Sequence, residues 1–125
     1  MKCFDFGSTH LALADVLKAC DSHNAVAVPC HPGRKRVGMW AHLEEFGVPE
    51  GVKIVEVKNG GSRGEEDKVA QGMADELHYL GIGGSDSHIV SHVGRCATRF
   101  SHPVDTEAAL VAALQAGEFE AISLK

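Results

Sequence analysis

The sequence predicts an α/β fold in a single domain that covers residues 1–125. Strand-type and helix-type segments alternate along the chain, and alternation of this kind produces parallel βαβ units. One strand-type segment is a continuous run of small apolar residues, as in strands that are covered on both faces. Polar residues follow the clearest strands, where α/β folds place their sites. The length of 125 residues suits one domain with its own core.

The first half of the chain contains four predicted elements. Lys2 to Phe6 has the composition of a short strand, and Leu11 to Cys20 has apolar residues on one helical face. The apolar run from Ala25 to Cys30 predicts a strand that is buried on both faces. Met39 to Phe46 predicts a short helix that ends at Gly47, because glycine favours the conformation found at helix C-termini.

The second half repeats the alternation more regularly. Acidic residues open the longer of its two predicted helices, which suits the helix dipole. A glycine follows the other helix as a C-terminal stop signal. The predicted segments are a strand at Val52 to Val57, a helix at Glu65 to Tyr79, a strand at Leu80 to Gly83, a helix at Thr106 to Ala116 and a closing strand at Phe119 to Ser123.

Composition excludes several classes of function. Apolar residues make up 44% and charged residues 23% of the chain, and the formal net charge is −5. No apolar run reaches the roughly 20 residues of a membrane span. The sequence has no basic stripe, which a general nucleic-acid-binding surface would need. We expect a cytoplasmic location, because the N-terminus lacks the apolar core of a signal peptide. In that compartment the four scattered cysteines are expected to be reduced.

Histidine and acidic residues follow the three predicted strands in the middle of the chain. His31 follows the first, Glu56 and Asn59 lie at the end of the second, and Asp86 and His88 follow the third. Because parallel strands bring their C-terminal ends to one edge of a sheet, these side chains are expected to converge. A carboxylate and two imidazoles form a donor set that suits Zn²⁺, Mn²⁺ or Fe²⁺. The sequence therefore suggests a metal site.

Each of these residues also has a structural interpretation. His31 suits a hydrogen-bonded loop residue, and the segment Ser85 to His88 suits a turn or a helix cap, with glycines 83 and 84 letting the backbone bend before it. Glu56 suits a salt bridge at a sheet edge, and Arg34 to Arg36 suits a solvated loop. The residues alone leave both interpretations open.

Three segments, taken in order, resemble the PHP family, named after polymerase and histidinol phosphatase. Those proteins carry an HP-x-R motif after one strand, a strand with a glutamate and an asparagine, and a GSDAH turn followed by VG. The corresponding segments here are His31 to Arg34, Ile54 to Gly60 and Gly84 to His88. Val93-Gly94 and the helix from Thr106 to Ala116 continue the similarity, which spans nearly the whole chain.

The resemblance implies a fold and a set of site residues. The family fold is a distorted, TIM-barrel-like (β/α)₇ barrel with a centre of two or three metal ions, and most members hydrolyse phosphate esters. His31, Asp86 and His88 match metal ligands, with Zn, Mn or Fe as the implied cofactor. Together with Arg34 they form the implied catalytic set. Arg34 and Asn59 are the implied substrate contacts, and Glu56 lies on the strand that supports the site.

The sequence departs from the family pattern in its first half. It has no early His-x-His motif and no early glutamate ligand, so it resembles the C-terminal half of the barrel. A partial barrel exposes strand edges, and we expect a homo-oligomer or a complementing chain. The implied function is a metal-dependent phosphoesterase that is completed by another chain and hydrolyses the phosphate ester of a small molecule through a metal-bound water. The alternatives are a non-catalytic metal-binding or protein-interaction module and, third, a structural role without metal.

Overall fold

The computed structural model describes residues 11–125, which form a mixed α/β domain with two short sheets. The strand predicted at Lys2 to Phe6 lies outside the described residues. Within residues 11–125 the strands do not close into a barrel. None of the helices in this range combines the length and the apolar character needed to cross a bilayer.

The first sheet is a parallel pair joined by a helix. Strand β1 (Ile54–Asn59) pairs with β2 (Leu80–Gly84), and helix α3 (Glu66–Leu77) connects them. The pairing begins at Ile54 opposite Leu80 and shifts by a bulge after Glu56. This is the βαβ unit that the sequence predicts. The apolar side chains of β1 and α3 form the core, in which Val55 is fully buried and Met73 is 1% exposed.

The second sheet is antiparallel. Strand β3 (Cys96–Phe100) pairs with β4 (Phe119–Ser123), and helix α4 (Glu107–Ala116) lies between them in the chain. The predicted helix and closing strand are confirmed, whereas β3 was not predicted and its antiparallel pairing departs from the expected parallel arrangement. Thr98 joins the two sheets, because its hydroxyl donates to the Gly83 carbonyl (2.8 Å) and accepts from the Gly83 N–H (3.1 Å).

The predicted strand from Ala25 to Cys30 is wrong, because the segment forms no strand ladder within residues 11–125. Its backbone is tied to β1 by one bond, from the Glu56 N–H to the Pro29 carbonyl (3.1 Å). Its residues are half-buried or exposed, so they lack the cover on both faces that the apolar run suggested. Apolar composition alone does not make a strand when repeated backbone pairing is missing.

The segments on either side of this run are helical. Helix α1 (Leu13–Ser22) precedes it, two residues later than predicted. The helix predicted at Met39 to Phe46 consists of a 3₁₀ turn (Met39–His42) followed by α2 (Leu43–Phe46). It ends at Gly47, whose φ of 76° confirms the predicted glycine stop.

Candidate functional site

The predicted site residues other than His88 converge at the C-terminal ends of β1 and β2. The end of β1 and the loop after β2 meet there, because the βαβ crossover places both strands in the same direction. The segment before His31 is held at the same place by the bond from the Glu56 N–H to the Pro29 carbonyl. The most direct link across the site is an ion pair in which Arg34 Nη2 donates to Asp86 Oδ2 at 3.0 Å. These two residues are 52 positions apart in the sequence, so the fold brings them together.

Glu56 holds the loop that begins at His31, here called the histidine loop, against β1. Its Oε2 accepts from the His31 backbone N–H (2.7 Å) and from Asn59 Nδ2 (2.8 Å), and the residue is only 8% exposed. Gly84 makes room for this carboxylate, since a Cβ there would lie 2.6 Å from Glu56 Oε1. Glu56 therefore fixes the position of His31, whose φ is 35°. The edge salt bridge considered for Glu56 is not what the structure shows.

Asn59 is the last residue of β1, and its buried side chain is bonded to the turn that follows the strand. It is 1% exposed, and its Oδ1 accepts from the Gly61 N–H at 2.8 Å. Its own backbone N–H donates to the Asp67 carboxylate at the start of α3 (3.2 Å). A substrate contact by Asn59 stays a prediction, whereas its present bonds hold the site's framework together.

Asp86 is an ionised carboxylate in a cationic environment. The hydrogen bond from Arg34 is the main reason that the pKa of Asp86 lies below its usual value, and a hydrogen bond from Asn59 and the charges of Arg34 and His31 act in the same direction. Partial burial opposes the shift. The backbone bends at Asp86 itself, with φ of 49°, and neither of the preceding glycines 83 and 84 has a positive φ. A charged carboxylate of this kind suits a cation.

His31 has a buried nitrogen without a partner. Among the described residues, no group hydrogen-bonds to its Nδ1. The other ring nitrogen, Nε2, lies 3.4 Å from Cys30 Sγ. Buried ring nitrogens are normally satisfied, so an orphaned one is consistent with a ligand that occupies the site. The imidazole of His31 and the carboxylate of Asp86 therefore have the donor chemistry that a divalent metal requires.

His88 is not assembled with the other two predicted ligands. Its exposed ring folds back on its own loop, where Nδ1 lies 3.0 Å from the Asp86 carbonyl oxygen. Over residues 11–125, no three histidine, cysteine or acidic side chains are grouped closely enough to hold a metal ion. The structure thus brings His31 and Asp86 together but does not complete a ligand set.

Two acidic residues at the start of α3 belong to the site and were missed by sequence reasoning. Glu66 Oε2 lies 3.9 Å from Arg34 Nε, and Asp67 accepts the bond from the Asn59 backbone. The sequence predicted acids in this first turn only as partners of the helix dipole. Their position directly after the turn that follows β1 could have indicated this, because the N-terminus of a crossover helix lies at the same sheet edge as the C-terminal ends of the strands.

These features define a mixed α/β domain with a polar cluster at the carboxyl ends of a parallel strand pair. Residues 64–119 match the family model described as PHP-associated. The match confirms the resemblance to the PHP family for this part of the chain, which includes Asp86 and His88, whereas His31 and Arg34 precede it. Searches among curated proteins and among solved structures found no match.

Proposed function

We propose that the chain is a phosphoesterase-type domain that binds a divalent metal ion and a phosphate ester at the His31–Asp86 cluster. The observation that carries this proposal is the meeting of an ionised Asp86, a buried unpartnered nitrogen of His31 and the Arg34 guanidinium at one strand edge. A carboxylate and an imidazole suit Zn²⁺, Mn²⁺ or Fe²⁺. A guanidinium has the planar fork that matches a phosphate group. The expected substrate is a phosphorylated small molecule.

In this proposal each side chain has a defined task. His31 and Asp86 hold the ion, and the exposed His88 joins them after its ring turns away from the loop. A bound ion supplies Lewis-acid polarisation of the phosphoryl group and activates water. Arg34 orients the phosphate, and Glu56 keeps His31 in position through its backbone bond. Three protein ligands make a single-metal site, which leaves a coordination position open for water.

The proposed activity is tested by hydrolysis of p-nitrophenyl phosphate. The purified chain is treated with a chelator and then reloaded with Zn²⁺, Mn²⁺ or Fe²⁺. We expect metal-dependent turnover that falls at least about tenfold in His88→Ala, since the loss of a supporting group at a metal site already costs that much. The matched control is His102→Ala, because His102 is an exposed partner of Glu118 next to the second sheet. Turnover independent of metal, or equal loss in both variants, contradicts the proposal.

A non-catalytic metal-binding module is the second candidate. It is favoured by the lack, in residues 11–125, of the His-x-His motif that supplies ligands to the catalytic centre of the family. The same reloading experiment separates the two functions. Bound metal without turnover identifies the module, whereas metal-dependent turnover identifies the enzyme.

We further propose that the domain is part of a barrel and that two copies associate. Two short sheets leave strand edges without partners among residues 11–125, and unpaired edges favour association. Several large apolar side chains are also exposed, and three of them lie beside the Asp86 loop: Ile89 (57%), Val90 (90%) and Val93 (68%). Patches of this kind commonly mark interfaces.

Association is tested by light scattering coupled to size exclusion over a dilution series. The expected mass is about twice the 13.3 kDa of one chain. Val90→Asp is expected to shift the equilibrium towards the monomer, because it places a charge in the proposed interface. A soluble species of 13.3 kDa at every concentration contradicts the proposal.

A further inference from the structure

Arg34 lies between two carboxylates. Its Nη2 donates to Asp86 at 3.0 Å, and its Nε lies 3.9 Å from Glu66 Oε2. All three side chains are largely shielded from water, with exposures of 27% for Arg34, 23% for Asp86 and 18% for Glu66. An ion pair in such surroundings is screened less than one on the open surface. The guanidinium therefore contributes a substantial positive charge at the Asp86 carboxylate.

This pairing conflicts with two tasks that Asp86 and Arg34 have in the proposed function. A divalent ion on Asp86 places two like charges within a few ångströms, and like charges at that distance repel. A phosphate group is a second anion that attracts the same guanidinium. The ion pair between Arg34 and Asp86 is therefore weakened when metal and phosphate bind.

We propose that Arg34 and a divalent ion compete for Asp86, and that a bound phosphate group relieves this competition by drawing the guanidinium to itself. The inference rests on the proposed function and concerns the regulation of the same site. Metal and phosphate then bind with positive coupling, since each removes an obstacle to the other. Linkage requires that the coupling be reciprocal.

Glu66 gives Arg34 a second anchor during this exchange. Because its carboxylate lies near Nε while Asp86 contacts Nη2, the guanidinium can turn away from Asp86 and remain beside the site. The arrangement also explains why an acidic residue at the start of α3 faces this cluster. Glu66 keeps the Arg34 guanidinium near the site when the Asp86 carboxylate binds the metal ion.

The test is a Mn²⁺ titration of the full chain, with the free ion followed by its EPR signal. We expect Arg34→Gln to bind Mn²⁺ about three- to tenfold more tightly than the wild type, because a competing charge is removed. Arg34→Lys keeps the charge and is expected to stay close to the wild type. Arg99→Gln is the matched control, since Arg99 pairs with Glu120 on the exposed side of the second sheet.

A second arm adds phenylphosphonate, a phosphate-ester analogue that is not hydrolysed. It is expected to tighten Mn²⁺ binding to the wild type by a similar factor and to leave Arg34→Gln unchanged. Weaker or unaltered Mn²⁺ binding by Arg34→Gln, or no effect of phenylphosphonate on the wild type, overturns the inference and leaves the proposed metal site intact. If no variant binds Mn²⁺, the proposed function fails as well. Should Arg34→Gln not fold, as judged by its thermal transition, the phenylphosphonate effect on the wild type decides.

Discussion

Replacing Gly33 with alanine is expected to destabilise the domain by about 3 kcal/mol or more, the upper range for overpacking. A Cβ at this position would lie 2.1 Å from the carbonyl oxygen of Glu66 and 2.8 Å from the backbone nitrogen of Ala70. Both atoms belong to the backbone of α3, so no side-chain rotation relieves the contact. The histidine loop must move away from the helix, and the Arg34 guanidinium is then displaced from Asp86.

Urea denaturation measures this effect, and Gly72→Ala is its matched control. Gly72 lies in the same helix with nothing within 4 Å of a Cβ, so alanine there is expected to be neutral or to stabilise by up to about 1 kcal/mol. Equal midpoints for Gly33→Ala and the wild type would contradict the close packing of the loop on α3.

The elements that the sequence predicts well are those with local signals. The β1–α3–β2 unit follows from a strand segment rich in valine and isoleucine, Val52 to Val57, and from an amphipathic helix. Helix α4 is bounded by its own caps, since Thr106 Oγ1 accepts from the Ala109 N–H (3.0 Å) and Gly117 has a φ of 74°. Such signals act within a few residues, and they can therefore be recognised in the sequence without knowledge of the tertiary fold.

The elements that the sequence predicts poorly depend on distant partners. Cys96–Phe100 has no strong strand pattern, and its position is set by pairing with β4 and by the bonds of Thr98 to Gly83. Ala25 to Cys30 has the composition of a strand but one backbone bond to β1. In both segments, backbone pairing with distant residues determines whether a strand forms, and local composition does not.

The same division applies to the candidate site. His31 follows no strand within residues 11–125, whereas the convergence of Glu56 and Asp86 follows from strand order and the rule for parallel sheets. The partners of individual side chains do not follow from it. The bond from the His31 backbone to Glu56 and the pairing of Arg34 with Asp86 depend on the bulge after Glu56 and on backbone turns at two non-glycine residues.

Asp86→Asn is expected to reduce the affinity for a divalent ion by roughly a hundredfold or more, because it removes the one ionised ligand of the proposed site. Asparagine keeps the size of the side chain and an oxygen that accepts from Arg34. The change therefore removes charge with little effect on packing. Asp105→Asn is the control, since Asp105 is an exposed residue of the loop before α4.

The central claim, that Asp86 and His31 bind one divalent ion, is tested most directly by equilibrium dialysis against Zn²⁺ with elemental analysis of the protein. Wild type and Asp105→Asn are predicted to retain about one equivalent of ion. Asp86→Asn and His31→Ala are predicted to retain essentially none under the same conditions. Equal zinc content in all four proteins, or none in the wild type, would contradict the claim.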